Sequence, residues 1–198
     1  IFISLSNVNA SHCPDNQANI SLLNEDILQN FIQIREATLN NEDVMAISAT
    51  EKIYIPNLTK QAIDEILSSP DKIEQLIGNG AKIIDSIDAN NFIIRMPLGL
   101  GPFIYNITFK ANIERTSEES IKIKTTNFNQ LFEEGSVLIS INTNDPTNAF
   151  LKVKGSTYMD KNIYRAIDLL PFTSAEKLIE SEIQKQMDQT IDTFQTLQ

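Results

Sequence analysis

The stretch TSAEKLIESEIQKQMDQTIDTFQTLQ, running from Thr173 to Gln198, decides how the rest of the chain must fold. Leu178, Ile179, Ile183, Met187, Ile191, Phe194 and Leu197 recur at steps of three and four, one apolar stripe on a helix of about seven turns. Glu180, Gln184, Lys185, Asp188 and Asp192 fall on the opposite face. Thr173 and Glu176 have the spacing of a capping box, and Pro171 bars an earlier start. A one-sided helix of this length needs an apolar surface of equal length to lie on.

The preceding segments supply one. Phe103 to Glu114 alternates strictly: Phe103, Tyr105, Ile107, Phe109, Ala111 and Ile113 on one face, polar residues mostly on the other. The same period of two marks 81–87, Asn91 to Met96, Ile121 to Lys124, Val137 to Asn142 and Leu151 to Ser156. Earlier, Phe31 to Leu39 and Val44 to Ile55 flank the turn Asn40-Asn41-Glu42-Asp43 and read as a hairpin. A helix start over Asn24–Asn30 precedes it. Two short helices follow. Thr59 is the expected cap of the first, with Ala62, Ile63, Ile66 and Leu67 inward. Ser69 caps the second with Pro70 at its first position, and Gly78 and Gly80 end it. Pro97 to Pro102 reads as an irregular connection, either a stiff crossover or a gate. Asp145 to Asn148 is a turn, and Met159 to Leu170 crosses toward the last helix. The expected fold is α+β: a curved antiparallel sheet wrapped around the long C-terminal helix.

Composition narrows the function. At 198 residues the chain is long enough for one domain with a real core. Its net charge of -10 argues against nucleic acid and against charge-driven docking on anionic membranes. Arg35, Arg95, Arg115 and Arg165 are scattered, so no arginine-rich patch is visible. No run reaches the ~18 apolar residues of a membrane span. The oligomeric state is not legible. The single cysteine, Cys13, allows no internal disulfide. It sits with the only histidine, His12, in a polar leader, so neither a Cys/His pair nor a transition-metal site is expected. No cofactor motif occurs: P-loop, dinucleotide fingerprint and nucleophile elbow are all missing from the sequence. Residues 1–24 read as a leader, either an ordinary one or the end of a secretory signal with Val8-Asn9-Ala10 before its cleavage point. The second reading implies a periplasmic or secreted protein, the first a cytoplasmic one. Residues 25–198 form the domain.

The element order resembles the START-like superfamily, also called helix-grip, SRPBCC, Bet v 1-like or polyketide-cyclase/lipid-transport. A local pattern carries the resemblance further. Ile53-Tyr54-Ile55-Pro56 leads to Ile63, then Ile66-Leu67-Ser68-Ser69-Pro70-Asp71, then Ile73 and Leu76. That is similar to the family's strand, proline, short helix and acidic entry to a second helix. Ile63 and Ile66 stand where members carry Trp and Tyr. The preceding hairpin resembles exported bacterial members, and the resemblance covers Phe31 to Gln198.

The resemblance implies a ligand space between sheet and long helix. The residues expected to line it are Phe92, Ile94 and Met96, then Phe103, Tyr105, Ile107 and Phe109. Val137, Ile139, Ile141, Leu151 and Val153 complete the sheet, and Ile179, Ile183, Met187 and Ile191 face them from the helix. Taken singly, each reads more plainly as core. As a set they suit a hydrophobic small molecule, such as a lipid, isoprenoid or quinone, to be bound, or bound and carried. The competing reading is a cyclase or aromatase using Glu51 or Tyr105 as acid or base. Glu51 falls on the inward face by parity, unless a bulge turns it outward; Tyr105 is the expected buried phenol. A third reading is a filled core with an interaction role, favoured if no pocket reaches ~300 Å³.

Overall fold

The computed structural model describes residues 30–100, 103–126, 132–144, 149–171 and 173–196. The leader, most of the helix start at Asn24–Asn30, the Asp145 to Asn148 turn and Leu197 lie outside the described residues.

Eight strands form one antiparallel sheet in the order β1-β2-β8-β7-β6-β5-β4-β3. The first pair, β1 (Asn30–Leu39) and β2 (Glu42–Tyr54), is a hairpin closed by Asn40 and Asn41 at positive φ. Asparagine tolerates that region better than most side chains, which is why this turn is written with two of them. The rest is a meander: β3 (Lys82–Ser86), β4 (Asn91–Leu100), β5 (Phe103–Ser117), β6 (Ser120–Thr126), β7 (Phe132–Asn142) and β8 (Phe150–Asp160). Its last strand returns to β2, so the hairpin extends the sheet beside β8.

Between hairpin and meander stand α1 (Gln61–Leu67) and α2 (Pro70–Ile77). Ser69 caps α2, its Oγ accepting from the Lys72 N–H, with Pro70 following. Capping of α1 differs from expectation. Its N-cap is Lys60, which makes no side-chain cap, and Thr59 contributes only its carbonyl to the Ala62 N–H. The turn after β5 is gripped by α1 through Asp64–Arg115 and Lys60–Glu118 ion pairs.

Three further expectations are corrected. Pro97 to Leu100 is strand: β4 runs on and pairs with β5 down to Leu100 opposite Phe103. A proline is tolerated there because β3 pairs only with residues 92–95, leaving this part of β4 a sheet edge. The crossing after β8 contains a helix, α3 (Lys161–Asp168), capped by Asp160 through the N–H groups of Asn162 and Ile163. The last helix, α4, spans Ala175–Thr196 and is capped by Ser174, not Thr173. With the cap one residue later, the third helical position is Lys177, so no capping box forms. Asp168 supplies a second acceptor, to the Ala175 N–H.

The concave face of the sheet and the helices share one core. On α4, Ala175, Ile179, Met187, Ile191 and Phe194 are buried. Phe194 is fully enclosed, and burying such a side chain is worth about 1.5–3 kcal/mol. Threonines lock α4 to α2. Thr190 Oγ1 donates to the Leu76 carbonyl at 3.3 Å, and Thr193 Oγ1 to the Gln75 carbonyl at 3.1 Å.

Candidate functional site

The concave face is filled at one end and hollow at the other. At the end toward the β5–β6 turn, α1 inserts Ile63 and Ile66 against the strands, and Leu76 and Ile77 of α2 border the hollow. Toward Thr125, Gly135 and Thr157 a cavity of about 230 Å³ remains between the sheet and the first four turns of α4. Two glycines border it, and the second leaves room unfilled. Gly135 and Gly155 hold inward positions of β7 and β8 where the pattern otherwise places Val137, Ile139, Leu151 and Val153. At Gly155 a Cβ would meet only Val137 Cγ2 at 3.9 Å, an ordinary contact. At Gly135 it would come within 2.8 Å of Thr125 Oγ1, so that position admits nothing larger without movement.

The wall is mostly apolar. Met96, Ile107, Phe109, Val137, Ile139, Val153, Ile179, Ile183 and Met187, all expected on the site, line the cavity. Six others expected there do not. Phe92, Ile94, Ile141, Leu151 and Ile191 are buried at the filled end, packed into the core without reaching the cavity. Strand alternation assigns a face, while the end of the face is decided by which helices plug it. Tyr105 has the inward parity but sits near the strand's start and is 40% exposed, so it is no buried phenol. Phe103 begins β5, and its side chain lies outside the described residues.

Glu51 is inward and only 8% exposed. Pairing on both sides of β2 is regular through it, with Asn30 and Val153 opposite, so no bulge turns it out. Gln184 Nε2 donates to its Oε2 at 3.4 Å and to Asp188 Oδ1 at 2.9 Å. Burial, reinforced by the Asp188 charge, holds the Glu51 carboxyl above the usual range. It does not line the cavity. Neither acid–base candidate, Glu51 or Tyr105, therefore reaches the hollow.

The ionisable group among the described lining residues is one the sequence reading passed over, Glu182 on α4. It stands in a second helical row, Glu182, Gln186 and Thr190, beside the apolar row Ile179, Ile183 and Met187. A four-residue spacing of polar residues next to the stripe was the available signal. The Glu182 side chain is 11% exposed. Its Oε1 accepts from Asn79 Nδ2 at 2.9 Å and from Gln186 Nε2 at 3.5 Å. Lys185 Nζ stands 4.0 Å from Oε2. Burial pushes this carboxyl upward, and Lys185 and Gln186 offset part of the rise.

Asn79 organises this corner. It sits at positive φ between Gly78 and Gly80. Its amide donates also to the Pro97 carbonyl, its Oδ1 accepts from Lys185 Nζ at 2.9 Å, and its N–H donates to Gln189 Oε1 at 2.6 Å. The loop after α2 is thereby tied to the β4 edge and to three residues of α4.

At 230 Å³ the hollow exceeds the ~150 Å³ that admits a benzene-sized molecule and falls short of the ~300 Å³ expected of a drug-sized site. To that extent the size favours the filled-core reading. Among the described residues no group of three His, Cys, Asp or Glu side chains could hold a metal ion, and no helix is long and apolar enough to cross a membrane.

No protein-family model matches the chain, and neither does any curated protein sequence. Solved structures do. One is the di-domain ARO/CYC StfQ from the steffimycin biosynthetic pathway, at 12% identity and a TM-score of 0.58 over 76% of this chain and 50% of that one. Another is the di-domain ARO/CYC BexL from the BE-7585A biosynthetic pathway, at 8% identity and 0.55 over 76% and 49%. The chain spans about half the length of these two proteins. A conserved protein from Geobacillus kaustophilus matches at 8% identity and 0.55, over 76% of this chain and 93% of that one. With the sheet order and the long C-terminal helix, these similarities give the chain the helix-grip fold.

Proposed function

We propose that the chain binds a small apolar molecule of one or two rings in the hollow between β4–β8, β2 and α4. The observation that carries this reading is Gly155. A sheet selected only for a filled core would place a side chain at this inward position, where there is room for one, as it does at Val137, Ile139 and Val153. Empty space under a helix forgoes packing contacts, and apolar cavities of this kind stay dry and take up apolar guests. The volume sets the class. A lipid, an isoprenoid or a quinone qualifies through a segment of about this size. The position of Glu51 and Tyr105 away from the hollow supports binding over chemistry by those two groups.

Native mass spectrometry of the purified protein tests the reading, followed by titration of the stripped protein with naphthalene. A stoichiometric non-covalent adduct, or saturable uptake of naphthalene that Gly155→Val removes, supports it. A clean apo mass together with no saturable uptake overturns it in favour of the filled core.

A further inference from the structure

The hollow is mostly apolar; its polar lining residues are Thr125, Ser136, Ser156 and Thr157 on the sheet and one row of α4, whose polar groups are unequally occupied. Thr190 Oγ1 donates to two carbonyls, those of Leu76 and Gln186. Gln186 Nε2 is directed at Glu182 Oε1. On the opposite wall Thr157 Oγ1 donates to the Glu134 carbonyl at 2.9 Å. Glu182 differs. Among the described residues, the two side-chain hydrogen bonds it receives go to Oε1, while Oε2 has only Lys185 Nζ at 4.0 Å, beyond hydrogen-bond reach. A Cβ on Gly99 of β4 would lie 3.8 Å from Oε2. A carboxylate oxygen has two acceptor sites, so Oε2 of this cavity-lining residue retains acceptor capacity. Asn79 holds the carboxylate in place through Oε1, which lowers the entropy lost when a guest binds to the other oxygen.

We propose that Glu182 sets the specificity of the hollow: the ligand is an apolar molecule of one or two rings bearing one hydroxyl or N–H donor, and Glu182 Oε2 accepts that donor. This rests on the binding reading above. In a mostly apolar site a carboxylate acceptor orients the guest and discriminates against a guest that cannot donate, because a buried carboxylate gains from the added hydrogen bond. The rising effect of burial on the Glu182 carboxyl agrees with an oxygen short of solvent.

Three probes of similar shape separate the possibilities: 2-naphthol, which donates; 2-methoxynaphthalene, which does not; and naphthalene, which has no oxygen. Their dissociation constants are measured by fluorescence with wild-type protein, E182Q and E182L, after circular dichroism has verified folding. The expected result is binding of 2-naphthol about tenfold tighter than of either other probe, a factor typical of one hydrogen bond to a carboxylate. In E182L the preference falls to within about twofold, and E182Q, which keeps an acceptor for Asn79, falls between. Equal binding of the three probes to the wild type overturns the Glu182 assignment and leaves the pocket standing, as does a preference that survives in E182L. If E182L fails to fold, the wild-type comparison of 2-naphthol with its methyl ether decides alone. If no probe binds, the pocket reading itself fails and the assignment falls with it.

Discussion

Asn79 Nδ2 donates to Glu182 Oε1 at 2.9 Å, joining a loop after α2 to the middle of α4 across 103 positions of sequence. The contact fixes the carboxylate at the wall of the hollow. It also holds α4 at a set distance from the β4 edge, where the same amide meets the Pro97 carbonyl.

Replacing Asn79 therefore loosens both. Asn79→Ala loses the side-chain hydrogen bonds and adds strain at φ 49, a region asparagine tolerates better than alanine. A loss of about 2 kcal/mol is expected, since bonds to charged partners carry more than neutral ones. For a domain of this size that lowers Tm by roughly 4–8 °C. Asn79→Gly keeps the backbone and loses only the side chain. Thermal unfolding of the two variants separates strain from bonding, and equal Tm values for wild type and both variants would refute the role given to Asn79.

The two ends of the concave face respond differently to truncation. Phe194→Ala removes a fully buried ring from the filled end and costs about 3–5 kcal/mol. Ile183→Ala acts on a half-buried side chain that already borders empty space, and is expected to cost less than about 2 kcal/mol. Urea titrations measure both. Comparable losses would mean that the hollow is packed in solution.

Filling the hollow gives the opposite sign. Gly155→Val places two methyls beside Val137, where the nearest contact is 3.9 Å, at a backbone angle any residue can adopt. Stability is expected to hold or rise while uptake of naphthalene is lost. Gly135→Val is expected to destabilise, because Thr125 Oγ1 stands 2.8 Å from the new Cβ. Calorimetry with parallel binding curves checks the pair.

Glu51 supplies a pH signature. Its carboxyl is raised in the folded protein, first by burial and then by Asp188. The folded state therefore holds the proton more tightly than the unfolded one, and stability falls as pH rises from the ordinary value of 4.5 through the folded value. Above that window the ionised carboxylate is a standing cost. Glu51→Gln keeps an acceptor for Gln184 and removes the charge, so it is expected to raise Tm at pH 7 and to lose that advantage by pH 4. A gain of the same size at both values would assign the effect to something other than ionisation.

Much of this fold is legible in the residues. The α4 stripe, the alternation in β5 to β8 and the Ser69-Pro70 entry to α2 are local patterns, and each determined its element. What was misread depended on distance. Pro97 to Leu100 looked irregular because proline and glycine break strands in general, but here the missing N–H falls on an edge that β3 does not reach. The helix α3 carried its own signal in Asp160, Ile163, Tyr164 and Ile167, a cap and a helical spacing. For the site, alternation picked the correct face of β4 and β8 and could not tell Met96 from Phe92, or Val153 from Leu151. That choice belongs to α1, which plugs one end. Glu182 was missed because the stripe was counted by apolar residues alone, and its tether Asn79 is too far along the chain for any local pattern to join them.

The central claim is that the empty end of the sheet takes up an apolar guest. The four methionines test it site by site, since Met96 and Met187 line the hollow while Met45 and Met159 are buried outside it. Protein labelled with carbon-13 in the methionine methyl groups is titrated with naphthalene, whose ring current shifts neighbouring methyl signals. The claim predicts saturable shifts that are largest for Met96 and Met187, and their loss in Gly155→Val. Four unmoved signals, or shifts no larger at Met96 and Met187 than at Met45 and Met159, would contradict it.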